Sequence, residues 1–162
     1  IGRDIAKKAR AFNMNVVYHN RKRLEQNLEN NAEYYSSVNE MVKICDFISI
    51  NCPGSKDSRQ ILNKEVISLM KESAIVINTS RGDNVDDDAL IEALKNKKIY
   101  GAGLDVFNNE PDLDKRYLEL ENCILLPHIG SASKSTREEM GTQAVENLEA
   151  FFFNKPLISQ VN

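Results

Sequence analysis

Arg81, Glu110 and His128 are the side chains best suited to work on an acid that carries an adjacent carbonyl. Arg81 follows the apolar run Ala74-Ile75-Val76-Ile77 and precedes Gly82, so its guanidinium can enter a cleft while the backbone turns away. A planar fork of donors can grip a carboxylate and the carbonyl beside it, the two groups that a 2-keto acid presents. His128 is one of two histidines and stands between Pro127 and Ile129-Gly130, after another apolar run. An imidazole there can give a proton to the carbonyl oxygen as hydride reaches the carbon, and can take it back in the reverse direction. Glu110 can orient that ring. A lone histidine beside a proline is more often structural, so the case depends on what surrounds it.

These residues need a scaffold that brings loop ends together, and the hydrophobic pattern supplies one. Short apolar runs at Met14 to Tyr18, Phe47 to Asn51, Ala74 to Asn78, Ile99 to Val106 and Cys123 to Leu126 read as buried strands. Helical periods lie between them. Ile5, Ala9 and Phe12 form one stripe, and Ala89, Leu90, Ala93 and Leu94 another. Ser37 with Glu40 reads as a capping box. A last long helix is expected from Ser135, with Glu138 as capping partner and Met140, Ala144, Leu148 and Phe151 turned inward, ending near Asn154-Lys155-Pro156. The class is α/β, a parallel sheet with helices on its faces.

In open parallel sheets, ligands sit beyond the carboxyl ends of the strands. The segments there are polar: His19-Asn20-Arg21, Asn51-Cys52-Pro53, Thr79-Ser80-Arg81-Gly82, Asp105 with Glu110, and Pro127-His128-Ile129-Gly130. Ile1-Gly2, opening a helix that leads to a strand, matches the tail of a dinucleotide fingerprint whose backbone N–H groups hold pyrophosphate. Where an acidic residue would accept hydrogen bonds from both ribose hydroxyls, the chain has His19-Asn20-Arg21 and then Lys22-Arg23, with no carboxylate before Glu25. Cations suit a 2′-phosphate, and hence NADP. A basic loop in water and an NAD site are the open alternatives.

Composition narrows the partners. With 41% hydrophobic and 28% charged residues the chain is ordinary for a globular domain, and no apolar run is long enough to span a membrane. A net charge of −3 offers no general attraction to nucleic acid. Cys45, Cys52 and Cys123 are odd in number and widely spaced, so they suggest neither a disulfide framework nor a metal site, and a reducing cytoplasm is expected. Ile1-Gly2-Arg3-Asp4 reads as the inside of a helix start, so the chain is expected to begin mid-domain.

Asn78-Thr79-Ser80-Arg81-Gly82, then Gly101-Ala102-Gly103-Leu104-Asp105-Val106-Phe107 with Glu110-Pro111, then Pro127-His128-Ile129-Gly130-Ser131-Ala132, resemble the three successive signatures of the D-isomer-specific 2-hydroxyacid dehydrogenases. The resemblance runs from Ile1 to Val161-Asn162. It implies that residues 1–162 form one dinucleotide-binding domain, a Rossmann-type, doubly wound parallel sheet truncated at its N-terminal strand, in which Arg81 binds a small 2-keto or 2-hydroxy acid, His128 is the acid/base and Glu110 supports it. It also implies that Asp105 binds the nicotinamide carboxamide and that Thr79 and Pro53 line the cofactor. Ile1, Gly2, Cys52, Ser80 and Gly130 are counted with them from their places in the same loops, and a homodimer is implied. Tyr18-His19-Asn20-Arg21 is similar to the NADP-preferring glyoxylate and hydroxypyruvate reductase branch. NAD-linked phosphoglycerate or D-lactate dehydrogenases, and dinucleotide-binding corepressors similar to the same family, are the alternatives. By the same resemblance, a glycine-rich loop, the strand before it and a substrate domain are expected outside the chain, and 154–162 is expected to lead back toward that domain. The outlying strand is expected between the one at Met14 and the one at Ala74, splitting the sheet.

Overall fold

The structure is a computed structural model that describes residues 1–161; Asn162, the end of the closing segment, lies outside the described residues. The chain forms two compact units, Ile1–Leu126 and one that begins at Pro127. The first unit opens with α1 (Gly2–Ala11), β1 (Val17–Tyr18), α2 (Gln26–Glu29) and β2 (Glu33–Tyr34). It continues with α3 (Val38–Val42), β3 (Phe47–Ile50), α4 (Lys64–Ser68), β4 (Ile75–Asn78), α5 (Asp87–Lys95), β5 (Gly101–Leu104) and β6 (Cys123–Leu125). The second unit contains α6 (Lys134–Phe152).

Two parallel sheets result, one of order β1-β2 and one of order β3-β4-β5-β6. β2 was not expected: two residues carrying a glutamate give no run of alternation to read. The split itself matches the expectation, but its place does not. β4 pairs with β3 on one edge and β5 on the other, so no strand fits beside Ile75; the open edges of this sheet belong to β3 and β6. The larger sheet carries the core. Ile48, Ile50 and Val76 belong to one buried cluster with Val66, Ile67, Leu90 and Leu94, each large side chain stabilising the fold by roughly 1.5–3 kcal/mol. The α5 stripe is buried as expected, with Asp86 capping its start by accepting from the Ala89 amide at 3.1 Å.

Other helix readings need correction. Ser37 is the N-cap residue of α3 but its side chain makes no capping bond, and the Glu40 carboxylate is drawn to Lys43 at 2.6 Å. α6 is capped by Ser133, which accepts from the Thr136 amide at 3.2 Å; a competent cap two residues before Ser135 starts the helix first, and Glu138 lies opposite Lys134 instead. Met140, Ala144, Leu148 and Phe151 are exposed, and among the residues of α6 only Ala150 is buried. α1 likewise buries none of its stripe, with Phe12 80% exposed. Among the described residues no helix is long and apolar enough to cross a membrane.

Candidate active site

Parallel register decides which loops meet. Ile50 stands level with Asn78, and Asn78 with Leu104, so the segments starting at Asn51, Thr79 and Asp105 leave the sheet side by side at its carboxyl edge. The Asp105 amide donates to the Asn78 carbonyl at 2.9 Å, carrying the pairing one step beyond β5. Asp105 is 4% exposed.

Asn78, fully buried at the end of an apolar strand, shapes the turn that holds Arg81. Its Nδ2 donates to the Arg81 carbonyl at 2.9 Å, and its Oδ1 accepts from the Ser80 amide at 3.1 Å and the Ser80 hydroxyl at 2.8 Å. Asn84, also fully buried, donates through Nδ2 to Ser80 Oγ at 3.0 Å and to the Cys52 carbonyl at 3.1 Å, which ties the loop after β3 to the loop after β4. Its Oδ1 is buried without a hydrogen-bond partner among the described residues. The backbone of Ser80-Arg81 is thus fixed while the Arg81 side chain stays exposed, its Nη1 donating to the Ser80 carbonyl at 2.6 Å. A Cβ at Gly54 would lie 3.1 Å from Arg81 Cγ, so that loop packs directly against the Arg81 stem. Pro53 is fastened through its carbonyl, which accepts from Ser58 Oγ at 2.5 Å. Burial pushes the Cys52 thiol above its ordinary range, which disfavours the thiolate. Thr79 is exposed at the same edge.

At the start of the first unit, Ile1 is the N-cap of α1 and makes no side-chain capping bond, so the first backbone N–H groups of α1 keep their donor capacity for an anion. Gly2 faces Asn51: a Cβ built there would stand 3.4 Å from Asn51 Cβ, in ordinary contact. His19 Nδ1 lies 2.9 Å from the Tyr35 carbonyl, which fixes the ring after β1. Asn20 Oδ1 accepts from the Arg21 amide at 2.9 Å, and Arg21 Nη1 meets Asp57 at 3.2 Å.

Arg23 departs from expectation. Its guanidinium forks onto the buried Glu29 at 2.7 and 3.1 Å, so it is committed to the fold, against the expectation that counted it among the cations suited to a phosphate. Glu29 also accepts from the Tyr18 hydroxyl at 2.6 Å. The Arg23 bonds, then the Tyr18 bond, hold the Glu29 carboxyl below its usual range, against the burial that raises it. A carboxyl depressed in the folded state adds stability at higher pH and withdraws it as pH falls through the depressed value. Acidification below 4.5, the ordinary glutamate value, should therefore loosen residues 17–35 first. Hydrogen exchange at the Leu24 and Tyr35 amides, which bond to the Tyr18 hydroxyl and carbonyl, reads this; their protection, taken against the intrinsic exchange rate at each pH, should fall with acid and lose that dependence in Glu29→Gln. Exchange that ignores both changes would remove Glu29 as the anchor.

Glu110 Oε1 accepts from the Phe107 amide at 2.8 Å in the loop after β5. His128 and Gly130 belong to the second unit. His128 has φ 54°, a left-handed backbone that is uncommon for a residue with a side chain and concentrates at functional turns. Sequence reasoning missed Asn78, Asn84 and Asp57 as members of the site. Asn78 was detectable as a polar end to an apolar strand; Asn84 and Asp57 act through contacts that no local spacing reveals.

Comparison with known proteins bears on the same residues. The family described as D-isomer specific 2-hydroxyacid dehydrogenase, NAD binding domain, matches residues 1–130. A glyoxylate reductase of Thermococcus litoralis is 42% identical over 93% of this chain and 46% of its own length, and one from Pyrococcus horikoshii is 43% identical over 93% and 45%. The solved NADPH-dependent glyoxylate/hydroxypyruvate reductase of Sinorhizobium meliloti, in complex with NADP and malonate, superposes with a TM-score of 0.90 at 36% identity, over 97% of this chain and 48% of that one. The chain spans about half the length of the curated relatives it matches.

Proposed function

The chain belongs to the D-isomer-specific 2-hydroxyacid dehydrogenases as their NAD-binding domain, and from that premise we propose that its enzyme reduces glyoxylate or hydroxypyruvate with NADPH and runs the reverse oxidation of the matching 2-hydroxy acids. The observation that carries the reading is the Asn78–Ser80–Asn84 network, which holds Arg81 at the carboxyl edge of the sheet beside the Cys52-Pro53 loop. The donor set fits a nicotinamide dinucleotide: uncapped N–H groups at the start of α1, a polar ribose turn at His19-Asn20-Arg21, and the buried Asp105 carboxylate. The cofactor, when bound, supplies the hydride. Arg81 grips the carboxylate and the adjacent carbonyl of the acid, His128 gives the carbonyl oxygen its proton, and Glu110 orients the imidazole. Ile1, Gly2, Cys52, Pro53, Thr79, Ser80 and Gly130 line the cofactor.

The test is NADPH oxidation by the full-length enzyme with glyoxylate and with hydroxypyruvate. Turnover only with NAD and D-lactate or phosphoglycerate would favour the NAD-linked alternative, and dinucleotide binding without turnover would favour a corepressor-like binding module. The NADP assignment has its own test. Arg21→Ala should weaken NADPH by roughly 10- to 150-fold, the worth of one charge-assisted pair, and leave NADH nearly unchanged; equal losses for both cofactors would overturn it. We also assign the enzyme to a homodimer in a reducing cytoplasm, on the strength of the exposed Phe151-Phe152-Phe153 cluster and the free thiols of Cys45, Cys52 and Cys123.

A further inference from the structure

We infer that Asp57 sets the balance between the two nicotinamide cofactors by competing with a 2′-phosphate for Arg21. The inference deepens the cofactor assignment proposed above and rests on it. Asp57 comes from the loop after β3 and Arg21 from the turn after β1, yet their charged groups meet at 3.2 Å. The carboxylate that local sequence lacks at the ribose turn is therefore delivered by tertiary structure. Its placement is built. Ser58, 7% exposed, accepts from the Ser55 amide at 3.0 Å and donates to the Pro53 carbonyl at 2.5 Å, closing the loop on itself and presenting Asp57 outward. Arg23, the neighbouring guanidinium, is drawn off by Glu29, so Arg21 is the arginine of this turn left facing Asp57.

The two cofactors meet this pair differently. A 2′-phosphate carries about −1.5 to −2 charges, so it must displace the Asp57 carboxylate from Arg21 and bear its repulsion. A 2′-hydroxyl is neutral, leaves the pair intact and can donate to the carboxylate. Asp57 thus moderates the preference that Arg21 creates. Both side chains are largely solvated, at 71% and 68% exposure, so the effect is moderate and weakens with salt.

The experiment measures Kd for NADPH and NADH by cofactor fluorescence in the full-length enzyme, as wild type, Asp57→Asn, Arg21→Ala and the double variant, at low and high salt. Asp57→Asn should tighten NADPH roughly two- to fivefold at low salt, the size an exposed ion pair supports, without tightening NADH. In the Arg21→Ala background at least half of that gain should vanish. Unchanged NADPH binding in Asp57→Asn, or equal tightening of both cofactors, overturns the inference while the loss caused by Arg21→Ala keeps the cofactor assignment standing. If Arg21→Ala affects NADPH and NADH alike, the assignment itself falls and takes the inference with it.

Discussion

His128→Asn is expected to lower turnover by about 10²- to 10⁴-fold while NADPH binds nearly as in the wild type. The size follows from the role proposed for His128: reduction of a carbonyl leaves charge on oxygen, and the side chain proposed to neutralise it is removed while the proposed dinucleotide contacts at the N-terminus of α1, Arg21 and Asp105 are left untouched. Asparagine is the informative replacement. The backbone at His128 is left-handed at φ 54°, and asparagine tolerates that conformation better than most residues, so a loss can be assigned to the missing imidazole rather than to a refolded turn. Single-turnover oxidation of bound NADPH in the presence of glyoxylate separates chemistry from binding. Near-normal turnover would remove His128 from the mechanism.

Gly82→Ala is expected to destabilise the first unit by about 3 kcal/mol or more, the upper part of the range for overpacked sites. A Cβ there would overlap the Phe107 carbonyl and the Asn108 nitrogen, which are backbone atoms and cannot swing aside. They are also pinned from behind: Asn108 Nδ2 donates to Asp87 at 2.7 Å, and the other Asp87 oxygen accepts from the buried Tyr117 hydroxyl at 2.8 Å. Relief can come only by moving the 80–82 turn, which carries Arg81. Gly103→Ala is the matched control, because nothing lies within 4 Å of a Cβ built at Gly103. Urea unfolding of the two variants should separate them widely, and a common midpoint would contradict the steric account.

The larger sheet was legible because its strands are apolar on both faces and its crossovers carry clear stripes, as in α5, where the pattern of Leu90 and Leu94 is honoured by burial. Legibility failed where the decisive contact is distant in sequence. The placing of the gap depended on knowing that Phe47 pairs with Ile75, which no local period states. Arg23 looked like a phosphate ligand because its neighbours are basic, yet Glu29 claims it once α2 brings that carboxylate under the turn. Asp57 was invisible for the same reason in reverse. The loop motifs around Arg81, Asp105 and His128 were readable because they stand in the order of the signatures of the family that matches residues 1–130. The buried amides of Asn78 and Asn84 that hold the first of those loops obey no such rule.

The order β3-β4-β5-β6 is also the order in which those strands are synthesised. Each strand docks beside the one made just before it, and partners such as Phe47 and Ile75, Ile75 and Gly101, or Ala102 and Cys123 stand at similar distances along the chain. Loop-closure entropy grows only slowly with length, so every docking step carries nearly the same entropic cost and no single closure dominates. A sheet of this kind can therefore lengthen strand by strand as the polypeptide emerges, each new edge serving as the template for the next.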